Sequence, residues 1–224
     1  TQQLINVRGE FQKTEIAFAT MLGSQEKAQN LMTEMVDLAA KTPFGLQEIS
    51  EGAKQLLAFQ IPAEEVVDTL TRMGNIAAGL GVPLSQIQLV FGQVRAKGKL
   101  MGDDLRQFTE AGIPIVGELA KKLNTTTSEI YNMVSAGKIG FNDVKEVLFN
   151  MTNEGGLFFN LMEKQSASLS GQIERLKDAW AQMLNEIGKD NESALYSGIE
   201  GLAKLIDNYK EVARILAVLI SSYG

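Results

Sequence analysis

The chain has 224 residues, with 21 Lys and Arg against 27 Asp and Glu, and neither histidine nor cysteine. The lack of cysteine excludes disulfides, thiolate metal sites and cysteine nucleophiles; the lack of histidine removes the commonest general base, the usual zinc ligand and any Ser-His-Asp triad, so only carboxylate, lysine or tyrosine chemistry is left. A formal net charge of −6 gives no electrostatic steering toward nucleic acid, and neither nucleic acid nor a cofactor is expected as a partner.

The length suffices for a buried core in one large or two modest domains. No signal-peptide pattern opens the chain, and its longest near-continuous apolar run, 212–220 with Arg214 inside it, is too short to span a bilayer. The absent initiator methionine and the apolar final residues are those expected of a piece cut from a longer protein.

Residues 2–22 carry Leu4, Val7, Phe11, Phe18 and Leu22 at three- or four-residue multiples, which predicts an amphipathic helix. Gly23-Ser24 interrupts it, and Ser24 is placed to cap a second helix to about Lys41 whose apolar face is Ala28, Leu31, Met32, Met35, Leu38 and Ala39; one long bent helix is the other reading. Thr42-Pro43-Phe44 ends it, because the ring of Pro43 crowds Thr42 out of helical angles and frees Phe44 to dock as an anchor. A helix over 46–59 is expected to bury Ile49, Ala53, Leu56 and Leu57, and the next, from Ile61-Pro62, buries Val66, Val67, Leu70, Met73 and Ala77. Ile61-Pro62, Val82-Pro83 and Ile113-Pro114 each open a helical pattern; their spacings of 21 and 31 residues differ, which marks a helix-start device and not a solenoid repeat.

The stretch 91–123 organises the rest. Gly98-Lys99-Leu100-Met101-Gly102 reads as a loop whose glycines take positive φ, closed to most other residues, and Asp103 and Asp104 then act as caps at a helix start. Leu105, Phe108 and Ala111 or Gly112 share one face, and Gly112-Ile113-Pro114 stops that helix and starts another. A phosphate loop over Gly92–Lys99 fails, since five residues and not four separate Gly92 from Gly98 and Leu100 holds the place of the magnesium-binding Ser or Thr. Adjacent carboxylates such as Asp103-Asp104 or Glu64-Glu65 diverge by about 100° on a helix and do not face one substrate across a cleft. Arg95, Lys97 and Lys99 make a small basic spot beside Met101, read either as a solvated loop or as a partner contact; most of the nine methionines fall on apolar helix faces as core filler.

Thr126 and Glu129 form a capping-box pair before Ile130, Met133 and Val134, Ser135-Ala136-Gly137 ends that short helix, and Asn142 is the expected cap of the next, which carries Val144, Val147, Leu148 and Met151. As a DNA-reading helix-turn-helix this pair is poor, because Lys145 stands alone beside Asp143 and Glu146. Gly155-Gly156 breaks the chain. Met162, Ser166, Leu169, Ile173, Leu176, Trp180, Met183 and Ile187 then step 4-3-4-3-4-3-4, a heptad seam, and after a polar turn at 188–191 the same step resumes from Leu195 through Leu216 and Ile220 to Tyr223. Two matched seams predict an antiparallel helical hairpin. Residues 212–220 are apolar nearly all round, so something further is expected to cover them: the rest of the chain, a downstream segment or another copy.

The fold class is therefore all-α: a compact bundle of short helices over 42–154, a long N-terminal helical segment over 1–41 and a heptad-patterned hairpin over 155–224. By inventory it is a structural or interaction module and not an enzyme.

Phe91-x-Gln93, Gly98-Lys99-Leu100-x-Gly102-x-Asp104-Leu105-x-Gln107 and Gly112-Ile113-Pro114 occur in that order after Thr42-Pro43-Phe44 and before Gly155-Gly156-x-Phe158. Met162-Glu163-x-Gln165-Ser166, Leu169-Ser170-Gly171-Gln172 and Leu176-Lys177-Asp178 come next. Over roughly two thirds of the chain this series resembles the tape-measure domain near the N-terminus of phage and prophage tail length tape-measure proteins. Two departures stand out: Met73-Gly74-Asn75 replaces the usual Leu-Gly-Asp, and Arg175 precedes Leu176-Lys177-Asp178 where Asn is common. The resemblance implies a structural segment of a tail protein, acting in tail assembly and tail-length determination through association with copies of itself and contact with tail tube or baseplate proteins. It also implies residence in the virion tail after assembly in the bacterial host cytoplasm. Pro43, Phe44, Gly98, Lys99, Leu100, Gly102, Asp104, Leu105, Gly112, Pro114, Gly155, Gly156, Gln172, Trp180, Leu216 and Ile220 are the expected structural and interaction positions. A generic helical scaffold or secretion-associated coiled coil, sharing architecture alone, is the alternative.

Overall fold

The computed structural model describes residues 2–166 and Asp178. The chain divides into two units, residues 12–180 and residues 1–11 with 181–224, and the first holds every described residue from Gln12 onward. The described part is helical: α1 (Gln2–Leu22), α2 (Gln25–Lys41), α3 (Leu46–Ala58), α4 (Ala63–Leu80), α5 (Leu84–Lys97), α6 (Gly102–Glu110), α7 (Ile115–Lys122), α8 (Thr127–Ser135), α9 (Phe141–Thr152) and α10 (Leu161–Ser166). Among the described residues there is no strand, only one isolated antiparallel bridge between Lys99 and Gly140.

Local chemistry sets most of these boundaries. The α1–α2 break is real and the two helices are not one bent rod: Gly23 lies at φ 64 and the Ser24 hydroxyl accepts from the Lys27 N–H at 3.3 Å. Thr42 is extended (φ −125, ψ 166), as the following proline demands. Pro62, Pro83 and Pro114 each immediately precede the first residue of α4, α5 and α7. Gly81, Gly98, Gly112 and Gly137 end the helices before them with positive φ.

α4 is the spine. It packs against α2, α3, α5, α9 and α10, and Met73, Gly74, Asn75, Ile76 and Ala77 are buried in unbroken succession. Glu64, Asp68 and Gly79 of the same helix stay exposed, so the enclosure is local to 73–77, where a one-sided stripe does not pick out Ile76. On the other side of the unit α7 packs on α8 and α9, and α5 on α6, around Phe91, Leu100, Phe108 and Ile115, all fully buried. The Phe91 and Phe141 rings meet edge to face at 5.1 Å and 62°.

Three expectations need correction. Gly102 is not in the left-handed region but is the first residue of α6, the turn being made by Gly98 at φ 73 and an extended Met101. Asn142 is exposed within α9 and does not cap it; the cap position is Gly140, one residue ahead of Phe141. Leu57 and Val67, expected in the core, are only half-buried.

Candidate functional site

Two places gather the residues singled out from the sequence. At the first, the loop after α5 pairs with the loop before α9: the Leu100 N–H donates to the Ile139 carbonyl at 2.9 Å and the Phe141 N–H to the Gly98 carbonyl at 3.0 Å. Leu100 and Ile139 are fully buried beneath this bridge, so the pairing satisfies backbone groups that burial would otherwise orphan. Each loop leads into a helix held by a carboxylate three residues past the cap. Asp104 accepts from the Met101 N–H at 3.1 Å and Asp143 from the Gly140 N–H at 3.1 Å, in both cases at the positive end of a helix.

The neighbouring carboxylates Asp103 and Asp104 have different fates. Asp104 has no solvent-exposed side-chain surface and takes the Lys97 ammonium at 2.7 Å, whereas Asp103 is 85% exposed and reaches Arg106 at 3.8 Å. They do not face one substrate. Nor is the basic spot a free cluster: Lys97 is paired with Asp104, and Arg95 stacks over the Phe141 ring at 5.2 Å and donates to the Gln60 carbonyl at 3.3 Å. Lys99 lies over Gly137, its Nζ 3.2 Å from where a Cβ would stand. From α7, Lys122 bridges to Glu146 and to Asp143 at 3.6 Å on α9. Its ammonium titrates above the ordinary 10.5, chiefly through the hydrogen bond to Glu146 and with the charges of Glu146 and Asp143 adding to it; desolvation works the other way.

The second place is a corner between α9 and α10, built on α4. Arg72 of α4 donates to the Phe149 carbonyl at 3.1 Å, the Thr152 hydroxyl at 3.0 Å and the Asn153 side chain at 2.8 Å, while its guanidinium lies 4.4 Å from the Phe149 ring centroid. One arginine thus adds a charged donor to groups at the end of α9, where the Phe149 carbonyl already accepts from the Thr152 hydroxyl at 2.8 Å and from the Asn153 N–H at 3.1 Å. Gly155 turns the chain at φ 80. Gly156 is demanded by contact: a Cβ there would stand 2.5 Å from the Met151 carbonyl oxygen and 2.6 Å from that of Asn150.

Beyond the corner, Phe158 is buried over Gly79, and Met162 over Gly74, so closely that a Cβ on either glycine would overlap them at 2.7 Å and 2.3 Å. Phe44 also closes on Gly74, 3.3 Å from that same position, although it remains half-buried. Asn75 accepts from the Met162 N–H at 2.9 Å in a buried setting. The departure from the resembling pattern at this position therefore keeps an oxygen acceptor while giving up a charge. Asp178 returns to the start of α3, accepting from the Leu46 N–H at 3.4 Å where Gly45 has no side chain to offer.

Of the expected positions, Gly98, Lys99, Leu100, Asp104 and Leu105 lie at or beside the paired loops, with Gly102 opening α6 next to them. Gly112 turns α6 toward α7 at φ 95 and Pro114 precedes α7; Pro43 and Phe44 lead into α3; Gly155 and Gly156 form the corner. Gln172, Trp180, Leu216 and Ile220 lie outside the described residues, as does the heptad hairpin beyond Ser166. Arg72, Asn75, Gly79 and Asp143 were not foreseen. Gly74 and Gly79 carried a signal, since each mid-helix glycine costs about 1 kcal/mol against alanine and calls for a close neighbour; Arg72 carried none.

Among the described residues no group of three or more acidic side chains is arranged to hold a metal, and no helix is long and apolar enough to cross a membrane. At both places the geometry joins helices. A family model described as tape measure protein matches residues 2–189. Comparison with curated proteins and with solved structures gave no match.

Proposed function

The chain belongs to the tape measure protein family, a structural family of phage tail components, and on that premise we propose that it is the folded, anchoring segment of such a protein. In this reading it takes part in tail assembly and in tail-length determination by associating with other copies of itself and by contacting tail tube or baseplate proteins. It resides in the virion tail, having been assembled in the cytoplasm of the bacterial host.

The observation that carries the reading is the family match, which spans the whole described unit. The geometry adds a division of labour. A helix rises 1.5 Å per residue, so a rod stores length in proportion to its residues. The 21-residue α1 reaches only about 30 Å by that rule, and α3 to α9 are turned back at glycine and proline corners, so their residues add little to an end-to-end distance. Such a unit serves to gather, align or attach rods, and the measuring falls to extended sequence.

The experiment is a phage carrying the double substitution Asp104→Ala, Gly156→Ala, which disrupts both corners without altering chain length. Tail number in lysates, counted by electron microscopy against free heads, is expected to fall sharply. Normal tail numbers from a chain shown to be unfolded by circular dichroism would refute the anchoring role. Sedimentation of the wild-type chain tests self-association separately, and a monomer at every concentration would remove that part.

A further inference from the structure

The first turn is the costly part of any helix, because it fixes several residues for a single hydrogen bond, and α10 makes its first turn at Leu161. What holds it comes from a helix far back in the chain. The acceptor for the Met162 N–H is the Asn75 side chain, 87 residues earlier, and the flanking side chains Phe158 and Met162 occupy space that only glycine at 79 and 74 leaves open. Asn160, at φ 56, completes the turn that brings Leu161 to this seat. Met162 is also the first position of the heptad-spaced sequence.

We propose that α4 is a template on which the helix starting at Leu161 is nucleated, with Asn75 as the positioning residue that supplies its cap and Gly74 and Gly79 as the seat for its first apolar side chains. Nucleation is the costly step of helix formation and extension the cheap one, so a folded unit that supplies the first turn fixes where the following helix begins and in which rotational register. The helix after the corner then forms only when the α3–α9 unit is intact. This goes beyond the anchoring role and does not require it, since it concerns how one part of the chain conditions the folding of another.

Hydrogen exchange of the full chain, read by mass spectrometry, tests it in four forms: wild type, Asn75→Ala, Asn75→Asp and Gly79→Leu. In Asn75→Ala the 161–166 amides should exchange about tenfold faster or more, the factor a lost buried acceptor produces, while α5, α7 and α9 keep wild-type protection. Asn75→Asp, which keeps the oxygen and adds a charge favourable at a helix start, should restore slow exchange, and Gly79→Leu should reproduce the local loss. Unchanged exchange in Asn75→Ala overturns the proposal. So does acceleration of all helices in step, which would make Asn75 an ordinary core residue, and so does an Asn75→Asp variant as fast as the alanine.

Discussion

Gly156→Ala is the substitution whose cost the structure sets most sharply. The new methyl would stand 2.5 Å from the Met151 carbonyl oxygen, 2.6 Å from the Asn150 carbonyl oxygen and 2.6 Å from the Met151 carbonyl carbon. These are backbone atoms at the end of α9, and the Met151 carbonyl is itself committed to the Phe158 N–H at 2.8 Å. Relief requires the turn to open. Opening forfeits that hydrogen bond, worth about 1 kcal/mol net, and lifts Phe158, now only 3% exposed, part of the way out of its seat. Complete loss of a buried phenylalanine costs about 3–5 kcal/mol, so partial unseating plus the bond gives about 3 kcal/mol.

Gly155→Ala is the control. Gly155 lies at φ 80 with nothing within 4 Å of a built Cβ, so only the left-handed backbone penalty of about 1–2 kcal/mol applies. The structure thus ranks the glycine with ordinary φ above the one with positive φ, the reverse of what dihedral angles alone suggest. Urea unfolding of the full chain followed by circular dichroism measures both, and a Gly156→Ala variant less destabilised than Gly155→Ala would refute the steric account of the corner.

Three further outcomes are set by the same geometry. Gly102→Ala should leave stability unchanged or raise it by up to about 1 kcal/mol, because Gly102 is helical with open space around it; a loss of more than about 1 kcal/mol in thermal melts would return this glycine to the left-handed region. Asp104→Ala should cost about 2–4 kcal/mol, combining a helix cap with a charge-assisted bond to Lys97, and Asp103→Ala within about 0.5 kcal/mol, measured by urea midpoints; equal costs would sink the assignment of the cap to Asp104. The raised Lys122 ammonium contributes stability that is fully present below its ordinary 10.5 and is lost as pH climbs through the folded value. The melting-temperature gap between wild type and Lys122→Met should therefore hold up to pH 10 and shrink above 10.5, and a gap that widens there would contradict it.

Helix boundaries were legible because they are written in neighbouring residues. Ser24, Thr126, Gly137, Gly112-Ile113-Pro114 and Gly155 act within a turn of where they stand, and each does in the fold what its spacing predicts. Gly102 and Asn142 misled for one reason: several candidates for a turn or cap crowd together, and the choice among them is made by the pairing of the 98–100 and 139–141 backbones, 40 residues apart. The α4 corner was least visible. Arg72 meets Asn153 at a separation of 81 residues and Asn75 meets Met162 at 87, and no local pattern announces a partner at that distance. The one hint was chemical, in the Met73-Gly74-Asn75 departure, which falls where α4 receives α10.

The most direct test of the division between anchoring and measuring is the tail-length distribution of a phage in which 102–135, the stretch from α6 to α8, is deleted in frame, scored by electron microscopy. A rod losing these 34 residues would shorten by about 50 Å at the helical rise per residue. The account predicts few tails, with those that form at wild-type length. A full yield of tails uniformly shorter by that amount would contradict it and make the folded unit part of the ruler.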